Sequence, residues 1–116
     1  MALSVRWLTP EFATSAQLAP GDIGEAAQEG FRSIINNRPD FEGGPVQPTS
    51  EAMAEAANDA GLAYAFLPVQ SGFQSPEEIA RMRELIDRLP KPVLAFCRSG
   101  TRSGNLFRAA ASLPRE

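Results

Sequence analysis

Val93-Leu94-Ala95-Phe96-Cys97-Arg98-Ser99-Gly100-Thr101-Arg102-Ser103 is the stretch whose reading decides the fold. Its first four residues are apolar and sit between Pro92 and a polar run, which is the pattern of a short buried strand. They deliver the only cysteine of the chain to a loop of small residues. A helical pattern then runs from Ser103 to about Ser112, with Leu106, Phe107 and Ala110 on its inner face. A strand that turns through Ser99-Gly100-Thr101 into a helix aims several backbone N–H groups at one point, and the helix N-terminus favours negative charge there. Cys97, flanked by Arg98 and Arg102, is therefore expected to have a depressed pKa and to act as a nucleophile near neutral pH. Arg102 supplies a planar fork for an oxyanion, and Gly100 lets the backbone curl without a Cβ clash. Ser103 either donates to the cysteine sulfur or only caps the helix.

Working outward from this stretch, strand and helix signals alternate. Ser4 to Leu8 reads as a short strand or edge segment interrupted by Pro10, and Phe12 to Leu18 as a second short strand. Pro20-Gly21-Asp22 opens a helix over Ile23 to Glu29 that Gly30 ends. Phe31 to Asn36 is a buried strand, followed by a loop through Asn37-Arg38-Pro39-Asp40 and Glu42-Gly43-Gly44-Pro45. Thr49 or Ser50 caps an alanine-rich helix to about Ala60, and Leu62 to Val69 is the next strand. Gln70 to Gln74 forms a further loop. Ser75-Pro76-Glu77-Glu78 then carries a capping box and a proline at the first helical position, and Ile79, Met82, Ile86 and Leu89 form one stripe of the helix that follows. Such alternation predicts an α/β fold with a mainly parallel central sheet flanked by helices. Loops after its strands meet at one edge, so Asn36 to Glu42, Gln70 to Gln74 and Cys97 to Arg102 are expected to face each other.

Composition narrows the chemistry. The 116 residues suit a single domain over 1–116, with 43% apolar and 22% charged residues. A net charge of −3 and a pI near 5.0 argue against a general nucleic-acid or anionic-membrane binder, so any cationic site is local. One cysteine and no histidine exclude an internal disulfide, the usual zinc patterns and every Cys-His or Ser-His device, so neither a metal nor another cofactor is expected. No apolar run approaches the roughly 18–20 residues of a membrane span, and the first residues lack a signal pattern, which makes a reducing cytoplasm the expected location. Trp7, Phe66, Phe73 and Phe107 read as core or pocket wall, Glu77, Glu78, Arg81 and Arg83 as a solvated helix face, and Arg108 as facing solvent or a surface partner.

The Cys97–Ser103 loop and the segment Gly30-Phe31-Arg32-Ser33-Ile34-Ile35-Asn36-Asn37-Arg38-Pro39-Asp40 together resemble the phosphatase-like domain of the beta-lactamase hydrolase-like protein family. The resemblance extends from about Leu8 to Ser112 and implies a fold related to dual-specificity protein phosphatases. It also implies a chain found alone or fused to, or partnered with, a sulfide-oxidising enzyme, and members are described either as phosphatase-like or as sulfur transferases.

Against the protein tyrosine phosphatases, three departures stand out. Those enzymes place five residues between cysteine and arginine, whereas four separate Cys97 from Arg102. Their histidine before the cysteine is Phe96, and Tyr64 to Gly72 offers Gln70 and Ser71 where they carry an acid. Asp40 or Glu42 could stand in for that acid, or could serve the turn and pair with Arg38, which itself could reach the anion site. A loop of this length resembles that of rhodanese sulfurtransferases, which need no general acid. The spacing therefore favours a sulfurtransferase that carries sulfane sulfur as a persulfide on Cys97 and passes it to a thiol such as glutathione. The alternatives are a phosphohydrolase using a phosphocysteine intermediate and a catalytically silent module that binds a small sulfur- or phosphate-containing anion.

Overall fold

The computed structural model describes residues 3–114. Nine elements follow one another: β1 (Arg6–Thr9), β2 (Phe12–Ser15), α1 (Pro20–Gln28), β3 (Ser33–Asn36), α2 (Ser50–Asp59), β4 (Ala63–Phe66), α3 (Pro76–Arg88), β5 (Val93–Phe96) and α4 (Thr101–Ala111). The sheet order is β1-β2-β5-β3-β4, so β5 lies at the centre. β1 pairs antiparallel with β2, and every other pairing is parallel.

Alternation along β5 explains why it can be central. Leu94 and Phe96 belong to the core on one face with Ile23 and Ala26 of α1 and Met53 and Ala57 of α2. Val93 and Ala95 belong to the opposite core with Met82 and Leu85 of α3 and Leu106 and Ala110 of α4. A strand of period two with both faces covered is apolar throughout, which is why Val93–Phe96 reads as a continuous hydrophobic run. The neighbouring strands divide in the same way, Ile34 to one core and Ile35 to the other.

Register then sets the level of the carboxyl edge. Ser15 and Asn36 both lie opposite Phe96, and Phe66 lies opposite Asn36. All four parallel strands therefore stop together, and the residues that follow, Cys97 and Asn37 among them, start at one height. The expected strands Phe12 to Leu18 and Leu62 to Val69 are shorter, ending at Ser15 and Phe66, and beyond them the backbone keeps only single contacts across the sheet, from the N–H groups of Gln17 to the Arg98 carbonyl (3.3 Å), Leu67 to Asn36 (2.9 Å) and Val69 to Asn37 (3.1 Å). The last helix begins at Thr101 and not Ser103, because Gly100 adopts φ +96° and serves as its N-cap, which brings Arg102 into the first helical turn.

Two surface expectations change. Arg83 is not simply solvated: its Nη1 donates to the carbonyls of Ala110 (2.7 Å) and Leu113 (3.0 Å), tying α3 to the end of α4. Trp7, Phe66 and Phe73 are 49%, 39% and 62% exposed, so none is core, although Trp7 stacks on Phe31 at 5.1 Å. Phe107 stacks on Phe12 at 4.2 Å, as a wall residue should. Among the described residues no helix is long and apolar enough to cross a membrane.

Candidate active site

Cys97 follows β5 directly and is 1% exposed, yet it lines a cavity of about 830 Å³ with Arg98, Ser99, Thr101 and Arg102. The Gly100 N–H donates to its Sγ at 3.1 Å. Burial pushes the thiol up, but the N–H groups of Ser103, Gly100 and Ser99 and the Ser103 hydroxyl outweigh it, so the Cys97 pKa falls below the ordinary 9.0. An amide nest that stabilises a thiolate is thus present at the predicted position.

Ser103 is both completely buried and doubly placed. Its backbone and hydroxyl face the sulfur, and the single hydroxyl proton is shared in turn between the sulfur and Asn37 Oδ1, 2.8 Å away. Asn37, 0% exposed, is fixed by its N–H to the Phe96 carbonyl (2.9 Å) and by Nδ2 to the Leu67 carbonyl (3.0 Å). Sequence reasoning missed Asn37; the signal was a polar residue immediately after an apolar strand, at the level of Cys97.

Gly100 has a stricter reason to be glycine than the turn alone. A Cβ there would lie 3.3 Å from the carbonyl carbon and oxygen of Ser15, on a backbone at φ +96°. Gly100→Ala is expected to cost about 1–3 kcal/mol in urea unfolding and to weaken thiolate stabilisation by displacing the donating amide. Wild-type stability with an unshifted thiol titration would contradict this reading.

Arg102 is 8% exposed and shares its guanidinium between two elements. Nη1 donates to Glu42 Oε2 (3.1 Å) and to the Val69 carbonyl (3.0 Å), and Nη2 to Glu42 Oε1 (3.0 Å). Its Nε is buried with no hydrogen-bond partner. Arg102 lines the same cavity as Cys97, and an orphaned charged donor on such a residue suits an oxyanion oxygen. The same Glu42 accepts from Arg38 Nε at 2.8 Å. Burial raises the Glu42 carboxyl, but the hydrogen bonds and charges of Arg102 and Arg38 outweigh it and hold it below the ordinary 4.5.

The remaining expected residues divide plainly. Arg38 does pair with Glu42, not Asp40, and through that carboxylate reaches Arg102; its Nη1 also donates to Gln17 Oε1 at 3.2 Å. Asp40 lines neither cavity of the cysteine loop, and its Oδ1 accepts from the Ser50 N–H at 2.8 Å, which ties its own loop to the start of α2. Tyr64 strengthens that tie, with its hydroxyl 2.7 Å from Ser50 Oγ and 3.1 Å from Asn36 Nδ2. Ser99 and Thr101 are exposed on the rim, where the Thr101 N–H reaches Ser99 Oγ at 3.4 Å. Arg98 is exposed and lines two cavities. The three expected loops do converge: Arg38 and Glu42, Gln70 and Ser71, and Arg98 and Arg102 line one cavity of about 770 Å³. Glu42 is the one carboxylate among the residues lining it and the cavity of Cys97.

Known proteins share this architecture. The family model described as "Beta-lactamase hydrolase-like protein, phosphatase-like domain" matches residues 4–113. A beta-lactamase hydrolase-like protein of Xylella fastidiosa is 38% identical over 100 residues, covering 86% of this chain and 23% of the relative, so the chain spans less than a quarter of that protein. A Neisseria meningitidis Z2491 protein provisionally assigned as a phosphatase superposes with a TM-score of 0.82 at 34% identity, over 94% of this chain and 79% of that one. Tk-PTP in its active form shares the fold, with a TM-score of 0.66 at 19% identity over 96% of this chain and 82% of its own. These findings favour a phosphatase-like hydrolase over the sulfur transfer that loop length put first. The match runs through both the Cys97 loop and the Arg38–Glu42 loop, and the chain belongs to the family of phosphatase-like domains of beta-lactamase hydrolase-like proteins.

Proposed function

We propose that this domain is a phosphohydrolase that works through a phosphocysteine intermediate. The observation that carries the reading is the pairing of a thiol of lowered pKa with the orphaned, buried Nε of Arg102. Cys97 Sγ attacks phosphorus, an S–P bond forms, and the bond from phosphorus to the leaving oxygen breaks with its electron pair on that oxygen. Water then attacks phosphorus, the S–P bond breaks, thiolate is restored and the water proton leaves with the phosphate product or to solvent. The loop amides and Arg102 stabilise the oxygens on which charge gathers. Glu42, held ionised by two arginines, is a poor proton donor, so the substrates that suit this site have leaving groups that depart as anions, such as aryl phosphates or phosphoanhydrides.

The four-residue spacing between Cys97 and Arg102 supports a second reading. Cys97 would attack the outer sulfur of thiosulfate, releasing sulfite, and pass that sulfur from the persulfide to cyanide or a thiol. One experiment separates the two. Wild type and Cys97→Ser are incubated with p-nitrophenyl phosphate and, separately, with thiosulfate plus cyanide. Phosphate release by wild type alone is the expected result; thiocyanate formation without phosphate release replaces phosphohydrolysis by sulfur transfer, and activity with neither removes both.

A further inference from the structure

Three of the eleven basic residues of a chain with net charge −3 gather at one sheet edge, facing a single carboxylate. This is more cation than one transferred group needs. Arg102 presents two separate binding edges: the Nη pair grips Glu42, while Nε is unused. An oxyanion on the Nε side therefore leaves the Nη side free to hold another. Glu42 already shows that an anion of carboxylate size fits between Arg38 and Arg102, at 2.8 and 3.0 Å. Gly43 keeps that seat open, because a Cβ there would meet Arg38 Nη2 at 2.8 Å. Arg98 flanks both cavities, and among the described residues no side-chain hydrogen bond or ion pair engages it. Glu42 itself sits on a loop with a large exposed residue, Phe41, at φ +65°, a conformation that a non-glycine residue adopts at a cost.

We infer that the three-arginine cavity is a seat for a second anionic group of the ligand, and that Glu42 occupies this seat until the ligand replaces it. The ligand class is a small molecule with a phosphoryl group and another phosphoryl or carboxylate group within one or two bonds of it. Like charges explain the place-holder: with no ligand bound, Glu42 offsets the repulsion between two largely buried guanidiniums. The inference rests on the phosphate reading of the Cys97 site.

Titration calorimetry on the full chain, carrying Cys97→Ser to prevent turnover, tests it with orthophosphate, methylenediphosphonate and phosphonoacetate. At least one of the bifunctional probes is expected to bind about tenfold or more tighter than orthophosphate, and which one does so distinguishes a phosphoanhydride from a phosphocarboxylate. Arg98→Ala and Arg38→Ala each reduce that ratio toward one. Glu42→Gln raises it, because the competing charge is gone. A ratio near one in the parent protein, a ratio indifferent to both arginine substitutions, or weaker bifunctional binding in Glu42→Gln overturns the second seat while orthophosphate binding keeps the phosphate site. Binding of none of the three overturns the phosphate reading together with it.

Discussion

Cys97→Ser is expected to lower phosphate release by a factor of about 10³ or more, because serine lacks the thiolate on which the reaction depends. The fold should survive, since the replacement is close in size at a buried position. The same substitution has a signature in the pH dependence of stability. The folded thiol titrates below its ordinary value of 9.0, so the protein gains stability from the thiolate that is complete above 9.0 and lost as pH falls through the folded value. The stability difference between wild type and Cys97→Ser in urea should accordingly grow as pH rises toward 9.0. Labelling by iodoacetamide reports the titration directly and should show a midpoint below 9.0. Ser103→Ala removes the hydroxyl that serves the sulfur and Asn37 Oδ1 in turn, and should move that midpoint upward. A midpoint at or above 9.0 in wild type, or one indifferent to Ser103→Ala, would count against the amide nest as the activating device.

Arg102→Met is the second large effect. The variant is expected to lose about 10²–10³ in phosphate release, the size of one oxyanion donor, and about 1–3 kcal/mol of stability. The stability loss arises because the Val69 carbonyl loses its Arg102 donor and the Glu42 carboxylate loses two hydrogen bonds. Glu42 stays paired with Arg38, which keeps the cost below that of a wholly abandoned buried charge. Its pH dependence has a definite sign. Glu42 is depressed below 4.5 in the folded chain, so its stabilising contribution is complete above 4.5 and is lost as pH falls through the folded value. Wild type should therefore lose stability on acidification more steeply than Arg102→Met. Equal acid slopes in the two proteins would show that the Arg102–Glu42 pair does not set the titration.

The two variants probe different halves of one device. Cys97 depends on local backbone geometry, the turn that Gly100 makes over Ser15, whereas Arg102 depends on a carboxylate sixty residues away in sequence. A lesion in the first is read in thiol reactivity, and a lesion in the second in oxyanion affinity and acid stability.

That division also marks what the sequence could and could not determine alone. Alternating apolar and helical periods along Phe31–Ser112, together with the cap signals at Ser75 and Thr49, are local consequences of side-chain chemistry, and they were enough for a parallel α/β sheet with the cysteine loop at its carboxyl edge. The same local chemistry placed Cys97, Gly100 and Arg102 in one cradle, since a strand-to-helix turn brings them together whatever surrounds it. The tertiary structure alone decided the partners of that cradle. Strand order puts β5 between β2 and β3, so Ser15, Asn36 and Phe96 come to one level with Cys97 and Asn37 just beyond it, and no pattern along the chain encodes that adjacency. Loop length pointed to sulfur transfer because it sees only the spacing of Cys97 and Arg102. Asp40 and Glu42, two residues apart, looked alike as candidate acids; folding sends one to cap α2 and clamps the other between two arginines, because each carboxylate goes to the N–H donors that packing brings within reach.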